Sequence, residues 1–137
     1  MIRATFRLLR RAAWAPIAVL IFHAIVAETG HRQALDFVMH FCGGAAIAYF
    51  FFEALREFQD WLGTPTLLGR HLFSFALASA VGVFWELGEQ FSDTFLKSHI
   101  QKSLPETMSD LLANTTGAIT ALGLVFLLRR LTRADWA

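Results

Sequence analysis

The decapeptide Phe84-Trp85-Glu86-Leu87-Gly88-Glu89-Gln90-Phe91-Ser92-Asp93 lies at the end of a long apolar run that begins at His71. At 3.6 residues per turn, Glu86, Glu89 and Asp93 stand at i, i+3 and i+7 and share one helical face. Carboxylates are expensive there. In a bilayer each buried charge costs roughly 2.5–3.5 kcal/mol on insertion scales, and such residues usually face a bundle interior and carry function. The stretch therefore asks for a membrane helix whose polar face finds partners on other helices.

The rest of the composition agrees. The chain has 137 residues, 55% of them hydrophobic, with 14 phenylalanines and a mean hydropathy of +0.48. That is too apolar for an ordinary soluble domain and reads as a membrane protein. The formal net charge is +1, and the basic residues gather at segment ends instead of forming a stripe, which argues against nucleic acid as a partner. The single cysteine, Cys42, has no internal disulfide partner and reads as a small buried residue.

Working outward from the opening stretch, the His71–Gln90 run is rich in small residues (Ser74, Ala76, Ala78, Ser79, Ala80, Gly82) that let helices approach closely. Upstream, 56–70 is a mixed loop punctuated by Gly63, Pro65 and Gly69, with a short interfacial helix allowed over Leu55–Leu62 and Trp61 at headgroup level. Ala34–Leu55 is another apolar run, interrupted near its start by Asp36 and His40. Ala12–Ala27 follows the basic stretch of Arg3, Arg7, Arg10 and Arg11, with Pro16 near its start. This layout also fits a signal peptide cleaved after Ala27, but an uncleaved first helix is the expectation. Downstream, 91–109 reads as the longest loop, holding Lys97, His99, Gln101, Lys102 and Pro105. Asp110–Leu128 then gives 19 residues, about 28 Å of helix and enough to cross the hydrocarbon. Thr107 or Ser109 is expected to cap it, with Asp110 in the first turn favoured by the helix dipole.

The expected fold is all-α: one transmembrane domain over 1–137, a compact bundle of four helices at about 12–27, 34–55, 71–90 and 110–128. Four Lys/Arg precede helix 1, two lie in 56–70 and three follow helix 4, against three in the other two loops. The positive-inside rule then puts both termini in the cytoplasm. In that topology Glu28, Asp36, His40, Glu86, Glu89, Asp93, Asp110 and Asn114 all fall in the outer half. Asp36 with His40, and Asp110 with Asn114, are i, i+4 pairs, so one shared site is geometrically allowed.

Three readings compete for this cluster. Interhelical hydrogen bonds and helix caps would explain any single residue structurally. A divalent metal held by Glu86, Glu89, His40 and Asp110 is the second, although Glu86-x-x-Glu89 lacks the histidine of di-iron bundles. General acid/base chemistry by the same four is the third, with Asp36 orienting His40 and with Asn114, Asp93 and Gln101 binding substrate. His23 reads as a satisfied core group, and His31, His71 and His99 as solvated boundary residues. Cys42-Gly43-Gly44 and Gly117, Ala118, Ala121 read as close-packing positions. No phosphate loop, nucleophile elbow or zinc-protease motif is present.

Asp36-Phe37-Val38-Met39-His40, the acidic helix end Glu86–Gln90 and Ser109-Asp110-Leu111-Leu112-Ala113-Asn114-Thr115-Thr116-Gly117-Ala118 together resemble the VanZ-like group of small bacterial membrane proteins. FWELGEQFSD is closer to the related YjdF-like branch, and Phe37 stands where VanZ-like proteins usually have lysine. The resemblance covers 36–118 and singles out Asp36, His40, Glu86, Asp110 and Asn114, with Glu89 beside them. It implies a multi-pass protein of the bacterial inner membrane, in the lipid bilayer, with a site at these residues and no named reaction. The convergence of acids and one histidine at one depth on the outer side leads to the expectation that the site binds or processes an envelope lipid or lipid-linked substrate. A metal- or ion-binding or transport protein, and a non-catalytic subunit of a homo-oligomer or larger membrane complex, are the alternatives.

Overall fold

The computed structural model describes residues 1–29, 32–101 and 103–132. Six helices follow in order among the described residues: α1 (Ile2–Ala12), α2 (Trp14–Thr29), α3 (Arg32–Glu57), the single turn α4 (Gln59–Leu62), α5 (Leu67–Leu96) and α6 (Leu104–Thr132). Among the described residues there is no strand. Ala34–Glu57, Leu67–Leu96 and Leu104–Leu131 are each long and apolar enough to cross a membrane, and α1 with α2 qualifies as a pair bent by 50°. The chain is thus a helical membrane bundle.

The bend has a local cause. Pro16 removes a backbone donor, and its ring crowds the carbonyl four residues back, that of Ala12, where α1 stops. The neighbouring Arg11 carbonyl instead accepts from Trp14 Nε1 at 3.0 Å and from the Tyr49 hydroxyl at 3.3 Å. The basic amino-terminal stretch is therefore helical too: Ala4, Leu8 and Ala12 are buried, and Arg7 and Arg11 reach Glu57 of α3. α2 alone has 16 residues, a rise of about 24 Å, so a crossing by this segment has to include the bend or thin the bilayer.

α3 is the central post, packed against α1, α2, α5 and α6. It runs in the same direction as α6, and both run opposite to α5. Their shared core is Ala48, Phe52, Ala78, Ala118 and Leu122. Two glycines set the α3–α6 crossing. A Cβ on Gly44 would meet the Asn114 carbonyl oxygen at 2.0 Å, and one on Gly117 would meet the Phe41 carbonyl oxygen at 2.0 Å. Backbone lies against backbone at these points, as small residues allow in membranes.

Two expectations about helix ends are corrected. Helix α5 continues beyond Gln90 to Leu96, so Glu86 lies inside the helix and the following loop is short. Thr66 caps its start by accepting from Gly69 N at 3.0 Å, and Lys97 ends it in the left-handed region at φ 53°. Helix α6 begins at Leu104, not at Asp110: Ser103 Oγ accepts from Glu106 N at 3.4 Å, and Ser103-x-x-Glu106 is a capping-box pattern. Asp110 therefore sits beyond the first turn and gains nothing from a cap. Of the other boundary residues, Gly30, His31, Lys102 and Arg133 lie outside the described residues.

Candidate functional site

Two turns into α3, and at matching depth on α5 and α6, the polar residues meet around one imidazole. His40 is buried, and its two nitrogens face different partners. Nε2 lies 3.7 Å from Asp36 Oδ1, one turn earlier on α3, and 3.9 Å from Asp110 Oδ2 on α6. Nδ1 lies 3.6 Å from Glu86 Oε1 on α5 and 3.3 Å from Asn114 Nδ2 on α6. Asn114 is held there because Gly44 and Gly82 leave room for it: a Cβ on Gly82 would approach its Nδ2 to 3.0 Å.

The electrostatics are lopsided. Glu86, Asp110 and Asn114 are buried like His40, and Asp36 is half-buried. Glu86 feels the charges of Glu89, Asp110 and Asp36, and the Gln101 side chain is set against its carboxylate at a geometry short of a regular hydrogen bond. Three acids and one histidine at this depth leave negative charge in need of a cation or of protons. Asp36, His40 and Asp110 each offer one ligand atom within 4.8 Å of the others. Two ligands on one small cation are separated by about 3 Å when adjacent and 4.2 Å when opposite. The Nε2 distances fall in that range and are too long for hydrogen bonds.

The other expected site residues are placed differently. Glu89 turns outward, its Oε1 accepting from Trp85 Nε1 at 3.2 Å. Asp93 organises the loop after α5: it accepts from Ser98 Oγ, from Ile100 N at 2.6 Å and from Gln101 N at 2.7 Å. These bonds hold a loop in which Lys97 and His99 both have positive φ. Gln101 is thereby brought close enough to Glu86 to weigh on its charge, while its amide donates to Thr107 Oγ1 at 2.8 Å.

A cleft adjoins the cluster. It has a volume of about 180 Å³, is half-open between α2 and α5, and is almost wholly apolar, with Leu20, Met39, Ile47 and Val81 among its walls. His40 and Asn114 form its polar floor. His23 and Trp85 close one side ring to edge, their centroids 5.5 Å apart. His23, expected as a satisfied core group, is half-buried on the cleft wall. Only helix depth could have pointed to that pair, because residues 23 and 85 share no motif.

The geometry can be set beside known proteins. A family model described as predicted membrane protein (DUF2238) matches residues 5–132. This chain belongs to that family. An uncharacterized protein of Thermotoga maritima is 34% identical over 93 residues, which make up 66% of this chain and 47% of the relative. The chain therefore spans about half the length of the curated relative it matches. No solved structure matches it. Membership in DUF2238 agrees with the helical membrane bundle and the multi-pass arrangement, and the family description names no reaction.

Proposed function

We propose that the chain binds and processes an amphiphile of the bacterial inner membrane, its apolar part in the α2–α5 cleft and its polar head at the His40 cluster. One observation carries this reading: His40 and Asn114 belong both to the acid cluster and to the floor of the cleft. A lipid-linked envelope substrate has that two-part chemistry, and the VanZ-like and YjdF-like resemblance of 36–118 supports a site at these residues without naming its substrate. In this reading His40 moves the proton, Asp36 and Asp110 act on it by charge across 3.7 and 3.9 Å, Asn114 positions the head, and Glu86 supplies the second acid. The test is photolabelling of the purified protein in lipid nanodiscs with a diazirine-bearing lipid phosphate. Label should concentrate on α2 and α5 cleft peptides and fall sharply in Val81→Trp, which fills the cleft. Labelling spread evenly over the lipid-facing helices, and unchanged in that variant, would sink the proposal.

A second reading rests on the ligand geometry of Asp36, His40 and Asp110. Those residues fit a divalent cation bound through one imidazole and two carboxylates. Such an ion would neutralise the cluster and supply Lewis acidity towards a phosphate head. Stoichiometric metal in purified protein, absent from His40→Ala and Asp110→Asn, is the expected result. A metal-free preparation that also takes up no added Mn²⁺ would remove it.

A further inference from the structure

At the other end of the bundle, α1, α3, α5 and α6 assemble a second charged cluster that the His40 site does not use. Glu57 accepts from Arg7 Nε and from Arg11 Nη1, and Glu53 pairs with Arg56 at 2.8 Å. Arg70 and Arg129 join them, so five arginines surround two glutamates. The guanidinium carbons of Arg70 and Arg129 lie 5.5 and 4.5 Å from the centre of the fully buried Phe52 ring. The His71 ring meets the same phenylalanine edge-on at 4.8 Å. Beside them a cavity of about 550 Å³ is walled in part by Arg11, Tyr49, Glu53, Arg56 and Arg129. Arg129 thus belongs both to the cage around Phe52 and to the cavity.

Arg70 carries the inference. It is only 5% exposed, yet its Nε and Nη1 have no hydrogen-bond partner among the described residues. Arg56 and Arg129 are near enough to repel it, and Glu53, which attracts it, is already paired with Arg56. Stacking on Phe52 offsets part of the burial of a cation but leaves its donors unused. An anion with several acceptor oxygens satisfies donors and charge together, and the planar fork of arginine matches phosphate. We infer that this end binds a phosphate-bearing anion, taken up at the cavity wall of Arg129, Arg11 and Arg56. Arg70, which shares the Phe52 ring with Arg129 but does not itself line the cavity, supplies the unused donors. The chemistry is the same for the headgroup of an anionic lipid and for a soluble polyphosphate. Net charge alone pointed to no anionic partner, because the acids of the His40 end balance these arginines in the sum.

The experiment uses the full chain, purified in neutral detergent or placed in phosphatidylcholine nanodiscs. Inorganic pyrophosphate is titrated into the detergent sample by calorimetry, and phosphatidylglycerol is added to the nanodiscs while thermal unfolding is followed. Binding of pyrophosphate identifies a soluble source, and stabilisation by phosphatidylglycerol alone identifies a lipid headgroup. Arg70→Met should lose about tenfold or more in affinity for whichever probe binds. Without a probe it should melt above the wild type, because a buried cation with unused donors and two arginine neighbours has gone. Arg3→Gln removes the same charge from exposed α1 surface and should bind within about twofold of wild type. If Arg70→Met does not fold, Arg70→Lys decides, since it keeps the charge but loses the fork and should bind more weakly. Failure of both probes, equal losses in Arg70→Met and Arg3→Gln, or wild-type affinity in the deciding Arg70 variant would overturn the inference.

Discussion

Glu86 is the residue where burial and bonding disagree most at the His40 end: the carboxylate is buried, the Gln101 side chain approaches its oxygens at no regular hydrogen-bond geometry, and its near neighbours include other acids. A buried charge without compensation destabilises the fold, and replacing it by a neutral isostere is often stabilising. Glu86→Gln should therefore raise the unfolding free energy of metal-free protein by about 1–3 kcal/mol, read from denaturant unfolding in detergent. The same variant should weaken any Mn²⁺ uptake at the cluster. A loss of stability would mean that Glu86 has a structural partner after all. Asp93 makes the opposite case. Its three acceptor bonds lie within one loop, so Asp93→Ala should speed hydrogen exchange at the Ile100 and Gln101 amides and leave the α3–α6 core protected. Helical spacing puts Glu86, Glu89 and Asp93 on one face, and the structure ranks them by depth. Glu89 bonds Trp85 one turn earlier on the same helix, an i, i+4 contact. What spacing could not show is that Asp93 turns to a loop, because its partners lie beyond the helix end.

Among the elements, the α3–α6 crossing decides whether the His40 cluster exists at all. Gly44 and Gly117 leave no room for a side chain, and the atoms they would strike are backbone. Gly44→Ala and Gly117→Ala should each cost about 1–3 kcal/mol by forcing the helices apart. His40 and Asn114, 3.3 Å apart, should separate with them, which distance measurement between spin labels on α3 and α6 would detect. Gly123 offers the control, since nothing lies within 4 Å of a Cβ there. Gly123→Ala should be neutral or gain up to about 1 kcal/mol from helix propensity. Equal costs at all three positions would show that the crossing does not rest on these contacts. These glycines were readable as close-packing positions because small residues in apolar runs have few other uses. The helix ends were less readable. Apolar runs mark the hydrocarbon, whereas helices stop where caps and turn residues stop them, at Thr66, Lys97 and Ser103. For the same reason α1 was invisible to hydropathy: its arginines hide a buried stripe of Ala4, Leu8 and Ala12.

At the scale of the whole molecule the charges are sorted by end. Asp36, His40, Glu86 and Asp110 gather near the start of α3 and α6, and Arg7, Arg11, Arg56, Arg70 and Arg129 gather near their finish, with Glu53 and Glu57 between the arginines. The second group went unnoticed in the sequence because its arginines sit in separate segments and look like ordinary flanking charges. Its signal was the pair Glu53 and Glu57, acids one turn apart at the end of an apolar run, which require nearby cations. Sorting of this kind fixes an orientation, since insertion retains basic flanks in the cytoplasm while acids have little say. The arginine end should face the cytoplasm and the Asp93 loop the outside. Single cysteines at Ser98 and at Thr64, in a chain whose Cys42 is replaced by alanine, distinguish the two ends. A membrane-impermeant maleimide applied to intact cells should modify the cysteine at 98 and spare the one at 64 until the membrane is opened. The reverse pattern would put the His40 cluster on the cytoplasmic side, where an amphiphile would have to enter from the inner leaflet, and would move the arginine cavity out of reach of cytoplasmic polyphosphates.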